Sequence, residues 1–111
     1  MREWEPITKE ELISKIRLSE ESLKDDLLIL WNQIRIEPEK WFEAEYGIEG
    51  GGFWAVGVIN GSVIWYNDIE EGFNISDYNS YGTINDYASE QDELNWCLIK
   101  LHNSLKEIKN A

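Results

Sequence analysis

The chain has 111 residues, 42% of them hydrophobic, and a formal net charge of −12 at pH 7. This length predicts a single domain over residues 1–111, and the apolar content argues against general disorder. A lone cysteine excludes an internal disulfide framework, and the acidic balance argues against binding to nucleic acid or to an anionic membrane.

The predicted cellular compartment follows from features that the sequence lacks. The N-terminal residues lack the apolar stretch of a signal peptide. No apolar run approaches the roughly 20 residues that a membrane span requires. With Cys97 suited to a reducing environment, the sequence predicts a cytoplasmic protein.

Two helices are predicted at the N-terminal end. Thr8 and Glu11 in the segment TKEE form a capping-box pattern, which predicts that the first helix begins at Thr8. Ser19, followed by two glutamates, predicts the start of a second helix. Apolar residues at helical spacing carry this second helix to about Ile36, where Pro38 is expected to stop it.

A short strand and a turn are predicted next. Phe42, Ala44, Tyr46 and Ile48 alternate with other residues, two of them glutamates, which is typical of a half-buried strand. The glycines at 50–52 then predict a flexible turn into the following element.

A β-hairpin, 53–59/62–68, is predicted around Asn60-Gly61. If the side chains alternate strictly, one face of the hairpin is expected to meet the helices. That face carries Trp54, Val56, Val58, Val63 and Trp65. The other face carries Phe53, Ala55, Gly57, Ile59, Ile64 and Tyr66. Because both faces are apolar, something must cover the second one, either this chain or another molecule.

The segment 67–92 is acidic and rich in tyrosine. Its pieces GFNIS and YGTIN are compatible with two further strands of a meander or with one long ordered loop. A last helix is predicted from Ser89, with apolar residues at intervals of three and four. The whole pattern predicts an α+β fold, in which two N-terminal helices and one C-terminal helix pack mainly on one face of an antiparallel sheet.

No catalytic or cofactor motif is present. His102 and Cys97 are five residues apart on the last helix, so they point in different directions and do not form a local base and nucleophile. Oxygen ligands in 68–77 match no metal-binding loop pattern and are better explained as solvated acids at a turn. These oxygen ligands are Asp68, Glu70, Glu71, Asn74 and Asp77. The sequence therefore predicts no metal, no cofactor and no enzymatic activity.

The charge distribution is the main functional indication. Residues 41–99 hold eleven Asp or Glu residues, no Lys or Arg, and twelve of the fourteen aromatic residues. Tyrosine is enriched at protein interfaces, and neighbouring carboxylates pair with arginine on a partner. The predicted partner-binding residues are Asp68, Glu70, Glu71, Asp77, Tyr78, Tyr81, Asp86 and Tyr87.

The resulting hypothesis is a protein-binding module for a basic protein partner, such as an inhibitor or a bacterial immunity-type protein. An alternative for the tyrosines is that their rings simply cover the second face of the hairpin. An alternative for the whole chain is a non-catalytic domain that forms a homodimer through the second hairpin face or an exposed strand edge. A third is a small-ligand or enzymatic pocket among the aromatic rings.

Overall fold

The computed structural model describes residues 5–110, and the side chains of residues 5–107. In chain order the elements are helices α1 (Lys9–Glu20) and α2 (Asp25–Ile34), strands β1 (Arg35–Trp41), β2 (Phe53–Ile59), β3 (Ser62–Asn67) and β4 (Gly72–Asp77), and helix α3 (Leu94–Asn110). The strands form one antiparallel sheet in the order β1-β2-β3-β4. The predicted α+β class is confirmed.

The start of α1 agrees with its capping box. The Thr8 hydroxyl accepts a hydrogen bond from the Glu11 backbone N–H, and the Glu11 carboxylate accepts one from the Thr8 backbone N–H. The predicted second start, at Ser19, is wrong. α1 continues through Ser19, and α2 begins only at Asp25, because the Ser19 carbonyl accepts a bond from Ser22 in the turn that ends α1.

The strand predicted over residues 42–48 is wrong, and the strand lies just before it. β1 includes Pro38, which an edge strand tolerates because one row of its backbone groups needs no partner. After β1 the chain curls instead of extending. The buried Glu43 carboxylate accepts hydrogen bonds from the backbone N–H groups of Glu45, Tyr46 and Gly47, and these bonds hold residues 43–47 in a turn.

The hairpin is confirmed, with Asn60 and Gly61 at φ of 40° and 83° in its turn. Its pairing contains an irregularity, because Ala55 pairs with Trp65 but Gly57 pairs with Ile64. Residue 56 is therefore an extra residue in β2, a β-bulge. The strict alternation assumed from the sequence breaks at this point.

The bulge corrects the predicted faces of the hairpin. Trp54 and Val56 face the helices as predicted, but Val58, Val63 and Trp65 belong to the opposite side. Four residues predicted on the second face pack towards the helices instead. They are Gly57, Ile59, Ile64 and Tyr66.

Two apolar cores result, one on each side of the sheet. The helix-side core joins residues of all three helices to Val56, Ile64, Tyr66 and Phe73. The second core contains no helix residue among those that the structure describes. Its buried members are Trp41, Phe53, Ala55, Val63, Trp65 and Ile84. All three helices therefore pack on one face of the sheet, as predicted.

The segment after β3 is partly strand and partly loop. GFNIS forms β4, but YGTIN is an ordered loop in which Thr83 makes a single parallel bridge to Phe42. α3 begins at Leu94 and not at Ser89. The backbone N–H of Glu90 donates to Asn74 Oδ1, and the N–H of Phe73 donates to the Asp92 carbonyl, so residues 90–92 are tied to β4 before the helix starts.

In the described part of the chain, the search for a helix both long and apolar enough to cross a membrane finds none.

Candidate functional site

Two connections cover the side of the sheet that the helices leave free, and we call them together the loop layer (residues 42–52 and 78–88). The second connection leaves β4, crosses to β1, and returns. At the crossing, the Phe42 N–H donates to the Gly82 carbonyl and the Ile84 N–H donates to the Phe42 carbonyl. On the return, the Ser76 hydroxyl donates to the Asp86 carbonyl at 2.6 Å. The loop layer is thus anchored at both edges of the sheet, beside β1 and at β4.

The inner surface of the loop layer is apolar and completes the second core. Ile84 is buried there, and the rings of Tyr78 and Tyr87 pack against the same cluster. The Tyr78 ring meets the Trp41 ring edge-on, with centroids 5.1 Å apart. The question that the sequence left open is therefore answered by the chain itself, whose own tyrosine rings cover the second face of the hairpin.

Tyr81 lies further out and is joined to β1 through Glu39. The Glu39 carboxylate accepts hydrogen bonds from the Tyr81 hydroxyl and from the Trp41 indole N–H, the latter at 3.0 Å. This hydrogen bond to Glu39 is the main cause that raises the pKa of Tyr81 to about 12, and burial adds to it. The same two donors lower the pKa of Glu39. The ring of Tyr81 is 61% exposed, and it also contacts the Trp41 ring, with centroids 4.8 Å apart.

Large apolar side chains are exposed on the outer surface of the loop layer. Four of them, each between 51% and 66% exposed, are Phe42, Tyr46, Ile48 and Tyr81. Three of the four were missed as site residues because their alternation in the sequence indicated a half-buried strand. In the sequence, the three glycines at 50–52 that follow them were the feature that could have indicated a loop. The Tyr46 ring lies against the Tyr87 ring, with centroids 4.3 Å apart.

The charges of the loop layer are all negative. Its sequence holds Glu43, Glu45, Glu49 and Asp86 and no Lys or Arg. Lys40 reaches its edge from β1, where the ammonium donates to the carbonyls of residues 50 and 52.

The Lys and Arg side chains that form salt bridges in the described chain lie outside the loop layer. Lys9 of α1 pairs with Glu37, Arg35 of β1 with Glu20, and Lys100 of α3 with Asp92.

The eight predicted site residues do not form one surface. Tyr78, Tyr81, Asp86 and Tyr87 belong to the loop layer. Glu70 lies in the turn between β3 and β4. Burial raises the pKa of Tyr87, and the charge of Glu70 raises it further.

The other three predicted residues lie elsewhere. Asp77 ends β4 in the same row as Phe73 and Ile75, which face the helices. Glu71 and Asp68 line cavities beside α1.

Asp68 differs from the other acids because it is only 8% exposed. Its Oδ2 accepts a hydrogen bond from the Ile7 backbone N–H at 2.9 Å, whereas its Oδ1 is buried and has no hydrogen-bond partner among the described residues. Burial raises the pKa of Asp68, against the lowering effects of the Ile7 bond and of the charge of Lys40.

The surfaces considered for a homodimer are largely occupied. The second hairpin face is covered by the loop layer. Along β4, the Asn85 N–H donates to the Asp77 carbonyl and the Phe73 N–H donates to Asp92. The remaining edge strand, β1, carries Pro38, which has no N–H to offer another strand.

The remaining reactive side chains are separated. Cys97 is buried in the helix-side core, and burial is the main cause that raises the pKa of its thiol to about 12. A thiol with so high a pKa is a poor nucleophile. His102 Nε2 lies 3.8 Å from Asp26 Oδ2. Across the described residues, the search for three or more His, Cys, Asp or Glu side chains placed to hold a metal ion finds no such group.

Comparisons with protein-family models, with curated proteins and with solved structures each give no match for this chain.

Proposed function

We propose that this protein is a non-catalytic binding module that engages a basic protein through the loop layer. The observation that carries the proposal is the outer surface of that layer, where exposed apolar and aromatic side chains stand among carboxylates in a segment without Lys or Arg. Interfaces are enriched in such rings, while a surface of one charge sign favours a partner of the opposite sign.

The rings are suited to this role because they are already ordered. Tyr81 is held by Glu39, and Tyr87 by a hydrogen bond between its hydroxyl and Asn67. A side chain that is fixed before binding loses less rotational freedom when a partner arrives. The ring of Tyr46 lies tilted against the ring of Tyr87 and extends the same surface outward.

The carboxylates supply the charge selectivity. Glu45 and Asp86 are exposed, and the hydrogen bonds made at these two positions involve backbone atoms. Their carboxylates are therefore available to pair with arginine, which binds carboxylates through two parallel hydrogen bonds.

The concrete form that we favour is an inhibitor or bacterial immunity-type protein, acting in the cytoplasm, that blocks a nucleic-acid-handling enzyme by presenting carboxylates where phosphates would lie. Such enzymes carry basic clefts, and electrostatic steering accelerates the approach of an acidic protein to them.

The test is affinity capture from a heparin-binding protein fraction, which is enriched in basic, nucleic-acid-binding proteins. We expect the immobilised chain to retain a protein whose affinity falls as the salt concentration rises. The double variant Glu45→Gln/Asp86→Asn, alone or with Tyr81→Ser, should lose that protein.

The matched control is Glu10→Gln/Glu107→Gln, which removes the same charge from exposed positions on α1 and α3. Retention of the partner by this control, together with its loss from the loop-layer variant, would support the proposal. Equal losses from both variants, or an affinity indifferent to salt, would contradict it.

A further inference from the structure

A groove runs beside α1 on the helix side of the sheet, away from the loop layer. It consists of two cavities of about 350 Å³ and 280 Å³. Both are lined by Lys15, Tyr66 and Glu71, so they adjoin at these three residues. Asp68 lines the larger cavity, and Phe73 lines the smaller one.

Asp68 contributes a nearly buried carboxylate to the lining of the larger cavity. Asp68 is more than nine-tenths buried, and its Oδ1 has no hydrogen-bond partner within the part of the chain that the structure describes. Buried polar atoms in folded proteins nearly always have such a partner, because an unpaired one has lost its water without compensation. A carboxylate makes its strongest hydrogen bonds with cationic donors, and the charge of Lys40 already acts on Asp68.

The surroundings of Tyr66 favour a positive charge. Burial raises the pKa of this tyrosine, and the charges of Glu71, Asp68 and Glu11 raise it further, so the electrostatic environment of the ring is negative. Among the described residues that line the larger cavity, Lys15 is the single basic one. The Lys15 ammonium lies 5.9 Å from the centroid of the Tyr66 ring, a cation–π distance. The ring thus already accepts one alkylammonium group from its own chain.

The groove also has an apolar part that suits a hydrocarbon stem. The Tyr66 and Phe73 rings meet edge-on with centroids 5.0 Å apart, and the smaller cavity adds the exposed side chain of Leu18. Alkylammonium side chains commonly lie with their methylenes on apolar surface and their charge in a polar environment. A bare metal ion fits less well, because the search of the described residues finds no three carboxylate, thiol or imidazole groups that converge.

We propose that this groove binds a primary alkylammonium group, with the ammonium donating hydrogen bonds to Glu71 and Asp68 and the methylene stem lying on Tyr66 and Phe73. Glu71 is exposed, so an incoming ammonium group contacts it first. Asp68 is 8% exposed and lies deeper in the same groove. Lys15 competes for the same ring and acts as an internal competitor.

The test is titration of the full chain at fixed ionic strength with two probes, 1,4-diaminobutane and Nα-acetyl-lysine methylamide. The uncharged 1,4-butanediol serves as the chemical control. Calorimetry gives the affinity, and ¹H–¹⁵N NMR gives the location. We expect the largest shifts at the Ile7 amide, which donates to Asp68, and at the Trp54 indole, which donates to the Ile7 carbonyl at 3.2 Å.

Two substitutions distinguish this groove from general attraction to an acidic protein. Glu71→Gln should weaken binding about tenfold, because it removes one charge-assisted hydrogen bond, and Lys15→Ala should strengthen binding about fivefold. Glu45→Gln and Lys106→Ala make the same charge changes at exposed positions elsewhere and should alter affinity less than about twofold. Asp68→Asn should act like Glu71→Gln, and its folding is checked by circular dichroism.

The outcomes separate the sources of the alkylammonium group. Binding of diaminobutane alone supports a free diamine, and binding of the lysine derivative alone supports a lysine side chain of a protein. Binding of neither probe, or equal effects of Glu71→Gln and Glu45→Gln, overturns the proposal. Because Glu45 and Asp86 belong to the loop layer, a variant at those two positions that still binds the amine separates this inference from the proposed function.

Discussion

Asn67 Nδ2 donates a hydrogen bond of 2.8 Å to the Tyr87 hydroxyl, which joins the last residue of β3 to the loop layer. The same nitrogen donates to the Ala88 carbonyl, while Oδ1 accepts the backbone N–H groups of Ile69 and Glu70. One fully buried amide therefore fixes both the turn between β3 and β4 and the return of the loop layer.

Replacing Asn67 by Ala should destabilise the fold by roughly 3 kcal/mol, because it leaves several buried polar groups without partners. Urea unfolding measures the loss. Asn79→Ala, at an exposed loop position, is the control and should change stability by less than about 0.5 kcal/mol. A loss below about 1 kcal/mol at Asn67 would mean that water replaces these hydrogen bonds.

Ile84 tests whether the loop layer is a true part of the core. It is 2% exposed, whereas Ile48, in the same layer, is 66% exposed. We expect Ile84→Ala to cost about 2–4 kcal/mol through the cavity it leaves, and Ile48→Ala to cost less than about 0.5 kcal/mol. Thermal or urea unfolding compares the two. Equal costs would show that the second core does not depend on the loop layer.

Glu43 tests how the turn after β1 is held. Its carboxylate is 2% exposed and accepts three backbone N–H groups, so Glu43→Gln places an amide donor against other donors. The expected loss of stability is about 1–3 kcal/mol. Hydrogen exchange at the Gly47 amide should accelerate with it. Glu45→Gln, two residues away and exposed, is the control, and a similar effect there would contradict this role for Glu43.

Glu39 predicts an acid dependence of stability. Hydrogen bonds from Tyr81 and Trp41 lower its pKa below the ordinary value of 4.5. A carboxylate with a lowered pKa in the folded state stabilises the fold above its unfolded pKa, and this contribution is lost as the pH falls from about 4.5 through the folded value.

The substitution Tyr81→Phe should therefore raise the pKa of Glu39 and flatten the dependence of stability on pH in that acid range. Carboxyl ¹³C NMR follows the titration of Glu39 directly. Tyr46→Phe removes a hydroxyl from the same layer and should leave the titration of Glu39 unchanged. If the two variants behave alike, the Tyr81 hydroxyl is not the donor that sets this pKa.

The elements that the sequence predicted correctly depend on local interactions. The Thr8–Glu11 capping box and the Asn60-Gly61 turn are each specified within a few residues. The alternation of residues 42–48 predicted the wrong element because a long-range environment, the burial of Glu43 beneath the turn, decided their conformation. Ser19 failed as a helix start for a related reason, since capping residues are also tolerated inside a helix.

The candidate site was only partly accessible to sequence reasoning. The tyrosines of 78–87 were identified, but the pairing of Phe42 with Thr83, which brings residues 42–52 beside them, joins residues that are forty-one positions apart. The separation of Asp68 from the loop layer depends on the orientation of a turn. Composition alone carries no information about which side of a sheet a turn residue faces.

The extra residue in β2 determines where this domain can lose one residue without reversing the faces of the strand. Without Val56, the pairing of β2 with β3 would be regular, and all the remaining side chains of β2 would keep their present sides of the sheet. Removing one residue from 53–55 while keeping the bulge would instead move the side chains that precede the deletion to the opposite side of the sheet. Position 56 is therefore where a homologous chain one residue shorter would be expected to carry its gap.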